Sequence, residues 1–495
     1  MIILRIIVLL FIYGMEMTYA LERRPNIVFL LSDDQAVSAV GCYGNKHIIT
    51  PHLDRLASQG QRFINHYNTT AICMASRASV MTGLYEYRHG CNFDHGALGE
   101  NIFDQSYPVK LRKSGYLTGF AGKIGFLIEG QKFEAFAEQF DVWAGGPNQT
   151  HYATAQNQGI AKYANAYPHC SRAYGAWAGD FIKMAKEQRK PFCMSISFKA
   201  PHLPFDPDPI DLERYPEGKP FPRPANYGGE HGKHLSAQAH TSRATTGYRE
   251  WIVDYDGSMR KYCALITGVD AAVGMIREAL EREGLTDNTV IIFSSDNGYH
   301  CGAHGFGDKV LPYEEASKAP LIVFDPRIDN KHAGQTRQAL TGNVDLFSTI
   351  CDFAEIPTQA GIDGKTLRPL LSDSQAKIRD WLPLFNFWGA HSAQSMAVVS
   401  TEWKFIHWYY GGKGMKPVEE CFHLAADRGE MTRMTGAQHA AIATARIAYD
   451  AELTALRTTV IRGHGYEPYP VLFDRTTPWQ KKEVLLPTTK PNKQN

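Results

Sequence analysis

Four short apolar segments, each followed by polar residues, constrain the fold of this chain more than any other feature. They cover residues 26–31, 116–121, 192–198 and 290–293 and contain mainly Val, Ile, Leu and Phe. Near-continuous hydrophobicity over so few residues is typical of parallel strands that are covered on both faces. The sequence therefore predicts a sheet buried between two other layers.

Amphipathic patterns between these segments predict the helices of those layers. One helix starts after Thr50, with Pro51 at its first position, and stops at Gly60. Others cover residues 269–280 and 344–354. Alternating strand and helix patterns predict an α/β fold with a large mixed, mostly parallel sheet sandwiched by helices.

Polar residues follow each of the four apolar segments. In such sheets the groups that bind ligands gather at the carboxyl ends of the strands, so we expect these side chains to meet at one site. They are, in chain order, Asp33 and Asp34, Lys123, His202, and Asp296 and Asn297.

Three of these residues are carboxylates and one is an amide. Hard oxygen ligands in this number suit Ca²⁺ or Mg²⁺ better than zinc. Each pair has an ordinary alternative explanation, since Asp and Asn also cap helices and build turns after strands.

The segment from Cys73 to Arg77, with the sequence Cys-Met-Ala-Ser-Arg, precedes the helix-forming residues 78–82. A cysteine at a helix N-terminus feels the positive end of the helix dipole, which favours the thiolate. Arg77 lies one turn further along the same face. The pattern predicts an anion pocket that contains a reactive atom.

Together with Thr82 and Gly83, this segment resembles the signature of the formylglycine-dependent (type I) sulfatase family, within the alkaline phosphatase-like superfamily. The Asp-Asp and Asp-Asn-Gly motifs match the same family. The resemblance implies that a formylglycine-generating maturation enzyme converts Cys73. It also implies a divalent cation, Ca²⁺ with Mg²⁺ as an alternative, bound by these residues: Asp33, Asp34, Asp296, Asn297 and the modified Cys73.

Cationic residues of this chain also match the motifs of that family. The catalytic residues implied by the resemblance are Cys73, Arg77, Lys123, His202 and Lys309. In the family the aldehyde is hydrated; one hydroxyl attacks sulfur, and the second expels sulfate. His202 and Lys309 would grip the sulfate and protonate the leaving alcohol.

One position departs from the family pattern. Many members carry a histidine two residues after the motif lysine, where it accepts the proton of the diol, and this chain has Gly125 there. His151, His300 and His304 are the candidates to replace it. His304 also occupies a slot in which relatives carry a substrate-contacting histidine, so we assign His304 and His151 to substrate binding.

The balance of 52 Lys and Arg against 51 Asp and Glu gives a net charge of +1, which argues against a nucleic-acid partner.

Residues 1–20 have the pattern of a signal peptide, with an uncleaved N-terminal anchor as the alternative. We therefore expect a secreted or periplasmic protein without stable membrane association after cleavage. The cysteine count is nine, so at least one is unpaired; the eight others either pair or stay as buried thiols.

The predicted organisation is a catalytic α/β domain over residues 22–372, a C-terminal α+β subdomain over 373–480 and a flexible tail over 481–495. Residues 204–249 are rich in Pro, Gly and His and predict a long surface insertion near the site.

The predicted function is hydrolysis of sulfate esters, most simply those of a sulfated carbohydrate or polysaccharide. Export and abundant aromatic residues motivate that substrate, with Trp388, Trp403, Trp408 and Tyr410 as possible wall residues. Two alternatives stay open: a phosphonate or phosphate ester hydrolase with the same fold, and a non-catalytic sulfated-glycan binder.

Overall fold

The computed structural model describes residues 24–434 and 440–486. The expected signal peptide, residues 1–20, lies outside the described residues, as do residues 487–495 of the expected tail. Nothing in the described residues therefore bears on either of these two segments.

The described residues form fourteen strands in three sheets. The strands are β1 (Asn26–Ser32), β2 (Gln61–Phe63), β3 (His66–Tyr67), β4 (Leu117–Lys123), β5 (Val142–Gly146), β6 (Phe192–Ser197), β7 (Thr289–Ser295), β8 (Leu321–Phe324), β9 (Gln335–Arg337), β10 (Thr341–Gly342), β11 (Leu382–Asn386), β12 (Ser395–Val399), β13 (Trp403–Trp408) and β14 (Val418–His423). Eight of them form the main sheet in the order β5-β4-β6-β1-β7-β8-β2-β9. Only β8 runs antiparallel to both of its neighbours within this sheet.

The four predicted apolar segments form four adjacent strands of the main sheet. β4, β6, β1 and β7 lie side by side and are parallel to one another. Alternate residues of β1 enter two different cores, with Val28 and Leu30 on one face and Ile27 and Phe29 on the other. The predicted α/β fold with a mostly parallel, doubly covered sheet is confirmed.

Helices cover both faces of this sheet. The longer ones are Pro51–Gln59, Cys73–Thr82, Tyr107–Lys113, Cys170–Gln188, Tyr255–Arg282 and Asp345–Phe353. Short helices are Glu86–His89, Glu100–Phe103, Pro209–Leu212, Arg243–Gly247, Arg249–Val253, Glu314–Ser317 and Arg368–Ser372. Helix Tyr255–Arg282 is longer than the predicted segment because its first half packs in a separate aromatic cluster around Trp251 and Tyr262.

The C-terminal part of the chain forms an antiparallel sheet in the order β11-β12-β13-β14. Helix Ala440–Thr459 packs on it, with the ring of Tyr449 5.6 Å from that of Phe405. Two short helices follow, Tyr469–Leu472 and Trp479–Glu483. The sequence indicated β12 and β13 but missed β11 and β14.

The expected start of the tail at residue 481 falls inside helix Trp479–Glu483. The side chain of Lys482 is fully buried, so packed structure continues past that boundary. The limits 22–372 and 373–480 remain predictions, although the change to an antiparallel sheet falls within the second of these ranges.

Two further properties concern the whole described chain. No helix among residues 24–434 and 440–486 has the length and apolar character needed to cross a bilayer. All nine cysteines lie within the described residues, and all are free thiols.

Candidate active site

The carboxyl ends of β4, β6, β1 and β7 form a charged floor. The side chains in it are those of Asp33, Asp34, Arg77, Lys123, His202, Asp296, Asn297 and Lys309. Asp33 and Asp34 follow β1, Lys123 ends β4, and Asp296 and Asn297 follow β7. The predicted convergence of the four strand ends is therefore present.

The acidic side of the floor is tied together by its own hydrogen bonds. The backbone N–H of Asp34 donates to Oδ1 of Asp296 over 3.1 Å. Asn297 Nδ2 donates to Asp34 Oδ1 over 2.7 Å. Asp34 has a left-handed backbone with φ of 66°, and the Tyr262 hydroxyl holds its carbonyl at 2.6 Å. These contacts fix the carboxylates before any ligand arrives.

Arg77 connects the Cys73 helix, Cys73–Thr82, to this acidic side. Its Nε donates to Asp296 Oδ2 over 2.7 Å, and its Nη2 lies 3.4 Å from Asp33 Oδ2. Its Nη1 donates to the Lys123 carbonyl over 2.8 Å and also to the Ser197 hydroxyl. Because Arg77 is buried, water does not screen its positive charge from the carboxylates of the floor.

Two lysines and a histidine complete the ring of charges. Lys123 Nζ lies 2.5 Å from Asp33 Oδ2, and Lys309 Nζ lies 2.5 Å from Asp34 Oδ1. His202 Nε2 is 3.7 Å from Asp34 Oδ2, while its Nδ1 is 2.6 Å from the Leu203 carbonyl. Three carboxylates thus face three permanent cations and one imidazole.

This arrangement separates the protonation behaviour of two neighbouring carboxyls. Burial opposes ionisation of Asp33, but Lys123, His202 and Arg77 outweigh it and hold the pKa of Asp33 well below its usual range. Burial, reinforced by the charge of Asp33, raises the pKa of Asp296 to about 7. The two carboxyls thus depart from their ordinary pKa values in opposite directions, and burial is the main cause at Asp296.

The residues present fit a hard divalent cation. Asp33 Oδ1 and Asn297 Oδ1 are buried oxygen atoms without a hydrogen-bond partner among the described residues. Buried oxygen atoms are costly to leave unsatisfied, and carboxylate and amide oxygens are the ligands that Ca²⁺ and Mg²⁺ prefer. Asp33, Asp34 and His202 also have ligand atoms within 4.8 Å of one another.

Cys73 begins its helix, as the sequence indicated, and is only 3% exposed. Cys73 packs in one cluster with Val310, the residue after Lys309, and the backbone N–H of Val310 donates to the Ala71 carbonyl over 3.1 Å, so Cys73 lies at the edge of the floor. The helix is fixed from behind by Asn343, whose Nδ2 donates to the Ser76 hydroxyl over 3.0 Å. Asn68 lies in the same buried network, where the Ser76 hydroxyl donates to its Oδ1.

Gly125 has a structural reason to lack a side chain. Its φ is +86°, and a Cβ atom built there lies 2.5 Å from Cδ of Arg77. Arg77 is held by Asp296 and by the Lys123 carbonyl, so it has no room to move away. A histidine is therefore incompatible with this position in this chain.

The three histidines offered as substitutes lie in different surroundings. His304 is fully buried; its Nδ1 faces the His231 carbonyl and its Nε2 the Asn226 amide, both at 3.0 Å. His300 is buried against the ring of Phe306, and burial holds its pKa well below the usual range. The floor's hydrogen bonds thus include neither residue.

His151 is exposed on a loop near the floor. Its backbone N–H and carbonyl are both bound by Asn157, and its side chain has no hydrogen bond among the described residues. On the same loop, the Gln149 carbonyl accepts a hydrogen bond from Lys199 over 3.2 Å. The substrate-binding assignments of His151 and His304 remain predictions.

Sequence reasoning missed several residues of the site. Ser197 is the last residue of β6 and Lys199 lies two residues beyond it, and the polar end of that apolar segment was the available signal. Tyr262 comes from the middle of a long helix and had no signal.

Four aromatic residues were predicted as wall residues of the site, and for Trp408 this prediction is wrong. Its side chain is fully buried, and its indole N–H donates to Glu420.

Comparisons with known proteins agree with this geometry. A family model described as sulfatase matches residues 25–356, and a model described as N-sulphoglucosamine sulphohydrolase, C-terminal, matches residues 302–458. N-acetylglucosamine-6-O-sulfatase from Bacteroides thetaiotaomicron is 28% identical over 480 residues, covering 84% of this chain and 83% of that protein.

Solved structures show the same architecture. A protein in complex with its substrate D-glucosamine-2-N,6-O-disulfate has a TM-score of 0.71 and 27% identity, covering 88% of this chain and 98% of the other. A phosphonate monoester hydrolase of Agrobacterium radiobacter has a TM-score of 0.70 at 22% identity, with coverages of 88% and 96%, and shares the fold.

The fold and the site define a sulfuric ester hydrolase with an alkaline phosphatase-like α/β architecture, as predicted. More particularly, the chain belongs to the sulfatase family, whose model covers about two thirds of it.

Proposed function

We propose that this enzyme hydrolyses sulfate esters of a carbohydrate, with Cys73 converted to formylglycine and with Ca²⁺ or Mg²⁺ held by Asp33, Asp34, Asp296 and Asn297. The observation that carries the proposal is the ring of opposed charges at four adjacent strand ends, with Cys73 at its edge. Such a site binds an anion through more than one contact and neutralises the negative charge on it.

The residues of the chain have separate tasks in this proposal. Arg77 holds Asp296 and Asp33 in place, since its guanidinium contacts both. Lys123 and Lys309 supply fixed positive charge toward the non-bridging oxygens of the ester. His202, on the more open side of the floor, protonates the leaving alcohol.

Two groups absent from the polypeptide complete the chemistry. A divalent cation, when bound, polarises a sulfate oxygen and favours the deprotonated nucleophile. Formylglycine, when formed and hydrated, gives position 73 two hydroxyls, so that a second one is available after the first has reacted. The buried oxygens of Asp33 and Asn297 support the cation; Cys73 at its helix N-terminus supports the modification.

The relatives support a sulfated carbohydrate as substrate. One of them is named for N-acetylglucosamine 6-O-sulfate, and one was solved with D-glucosamine-2-N,6-O-disulfate. We further propose a secreted or periplasmic location, on the basis of residues 1–20, and maturation by a formylglycine-generating enzyme.

The decisive experiment combines turnover with the chemical state of residue 73. Protein produced with a maturation enzyme is assayed for sulfate release from 6-sulfated glucosamine derivatives, and the peptide across Cys73 is analysed by mass spectrometry. We expect aldehyde at residue 73 and sulfate release that Cys73→Ala abolishes. Aldehyde-bearing protein without turnover of any sulfated sugar would contradict the proposal.

Asp33 provides a test of the cation. Asp33→Asn removes a charge that Lys123 and Arg77 contact, so we expect kcat to fall by about a hundredfold or more. Calcium binding, measured by calorimetry, should weaken in parallel. Asp180→Asn is the matched control, because Asp180 makes a single exposed ion pair with Lys162; a similar loss in both variants would refute the assignment.

Two alternatives have their own discriminating results. Matched aryl sulfate and aryl phosphonate esters separate a sulfatase from a phosphonate ester hydrolase, the activity named for one structural neighbour. Glycan binding without turnover, in protein proven to carry the aldehyde, would indicate a sulfated-glycan binder, an alternative motivated by Gly125.

A further inference from the structure

An aromatic surface borders the entrance to Cys73. Trp388 is half-buried and packs against the apolar cluster that contains Cys73 and Val310. The ring of Phe93 lies beside it, with centroids 6.0 Å apart and planes inclined by 55°. Phe93 is 50% exposed, so aromatic surface remains open to solvent next to the nucleophile position.

The two loops that carry these rings are tied to each other. The backbone N–H of Gly389 donates to Asp94 Oδ2 over 2.8 Å. The backbone N–H of Trp388 donates to Asn386 Oδ1 over 3.3 Å. The aromatic surface is thus formed in advance, which lowers the entropic cost of binding a ligand on it.

Arg243 lies over this surface and is linked to the catalytic floor. Its guanidinium carbon is 5.2 Å from the centroid of the Trp388 ring, a cation–π geometry. Its Nε forms an ion pair with Asp308, the residue before Lys309. Helix Arg243–Gly247 is itself docked on this segment, since the backbone N–H of Gly307 donates to the Ala244 carbonyl over 2.8 Å.

The outer edge of the Arg243 guanidinium is unused. The side chain is 55% exposed, and apart from Asp308 it has no ion pair or hydrogen bond with any described residue. Its Nη1 and Nη2 donors are therefore available to a ligand, in the planar fork that matches a carboxylate or a sulfate.

We propose that Phe93, Trp388 and Arg243 form a subsite that binds a second anionic group of the substrate, with a sugar ring lying on the two aromatic rings. The second anion is a sulfate or a carboxylate on the same sugar or on its neighbour. This inference rests on the proposed sulfatase function and adds to it a preference for sugars that carry two negative charges.

The geometry separates the two anion sites by their residues. The floor holds the ester to be cleaved, and its cations are buried and already paired with carboxylates. Arg243 stands outside the floor, across Trp388 from Cys73, where a sugar bound through one sulfate emerges. A second negative charge on that sugar would therefore contact the free guanidinium donors of Arg243 instead of water.

The test compares the selectivity of wild-type enzyme and Arg243→Ala. The substrates are N-acetylglucosamine 6-sulfate, glucosamine-2-N,6-O-disulfate and a 6-sulfated disaccharide that carries a uronate. We expect Arg243→Ala to lower the ratio of kcat/KM for a doubly charged sugar to that for the singly charged sugar by about tenfold, mainly through KM. A loss limited to the disulfate or to the uronate identifies the source of the second anion and supports the subsite.

Further variants make the result decisive. Arg243→Lys keeps the charge but lacks the fork, so its ratio of kcat/KM values should fall between those of wild type and Arg243→Ala. If Arg243→Ala does not fold, the Arg243→Lys ratio tests the subsite in its place. Phe93→Ala should raise KM for all three sugars without changing the ratio. Arg249→Ala, on the adjacent short helix and exposed, is the control that should match wild type.

Two results would overturn the inference, and they are distinguishable. A ratio within about twofold of wild type in both Arg243 variants refutes the subsite alone. Wild-type enzyme that hydrolyses none of the sulfated sugars refutes the proposed function, and this is visible before any variant is measured.

Discussion

At the scale of single residues, Arg77 organises the floor more than any other side chain. One guanidinium contacts the carboxylates of Asp296 and Asp33 and the carbonyl of Lys123, and so joins three strand ends. Burial opposes its charge, but Asp296 and Asp33 outweigh that effect and raise the pKa of Arg77. Any change that displaces Arg77 should therefore disturb Asp33 and Asp296 at once.

Gly125 gives a direct test of that dependence. Gly125→Ala places a Cβ against the Arg77 side chain, in addition to the strain of a positive φ. We expect kcat to fall at least about tenfold and unfolding free energy to fall by about 1–3 kcal/mol beyond the strain of φ alone. Urea unfolding and turnover of an aryl sulfate measure the two effects.

The matched control is Gly130→Ala. Gly130 also has a positive φ, +72°, but nothing lies within 4 Å of its added Cβ. It should lose about 1–2 kcal/mol from backbone strain and keep its activity. Equal losses of kcat in the two variants would show that the contact with Arg77 does not matter.

Residues at strand ends were predictable because the pattern that makes a buried strand also says where the strand stops. Asp33, Asp34, Asp296 and Asn297 follow such segments directly. Arg243 meets Asp308 and Trp388 only through tertiary packing of a five-residue helix, which is too short to show periodicity. Sequence reasoning had no means to place Arg243 at the site.

At the scale of elements, the order of the central strands explains why one site forms. β4, β6, β1 and β7 are neighbours and parallel, so their polar ends lie side by side at one edge of the sheet. At one end of the sheet, β2 and the edge strand β9 have three residues each, too few for an alternation pattern to be detected. Their pairing is decided by the rest of the sheet.

Helix Asp345–Phe353 carries a buried and an exposed ion pair that are suitable for comparison. Arg379 forms a bidentate pair with Asp345, whose side chain is fully buried. Arg379→Met leaves that carboxylate without its partner, so we expect unfolding free energy to fall by about 3–5 kcal/mol in denaturant titrations.

The control on the same helix is Arg368→Met, which breaks an exposed pair with Asp352 and should cost less than about 1 kcal/mol. Adding Asp345→Asn to Arg379→Met should recover part of the loss, because the uncompensated charge is then removed. Equal destabilisation by the two arginine variants would refute the distinction between buried and exposed pairs.

At the scale of the whole molecule, the C-terminal sheet forms a boundary with the segment that leads into the Cys73 helix. The backbone N–H of Phe385, in β11, donates to the Thr69 carbonyl over 2.7 Å, close to the start of the Cys73 helix. Glu86 crosses the same boundary, since its Oε1 accepts hydrogen bonds from Tyr466 over 2.7 Å and from Asn92 over 2.5 Å.

Glu86 predicts how this boundary responds to pH. Burial raises the pKa of Glu86 from 4.5 to about 7, against the opposing hydrogen bonds from Tyr466 and Asn92. The folded protein therefore keeps a proton that the unfolded chain releases between those values. The stabilisation from Glu86 is complete below pH 4.5 and is lost as pH rises through about 7.

Comparison with Glu86→Gln isolates that contribution, because the amide keeps an acceptor for Tyr466 and cannot ionise. We expect the difference in unfolding free energy, wild type minus variant, to decrease by about 3 kcal/mol between pH 4.5 and pH 8. Denaturant titrations across this range measure it. A difference that stays constant or grows with pH would contradict the expected sign.

The separation of the charged floor from the proposed subsite has a consequence for divergence within the family. Phe93, Arg243 and Trp388 come from three connecting segments, and none of them belongs to a strand of the main sheet. Because the proposed subsite lies on those segments, we expect their exchange between homologues to alter which sugar is accepted while the hydrolytic centre stays untouched. Engineering of new substrate ranges in this scaffold should begin with these three segments.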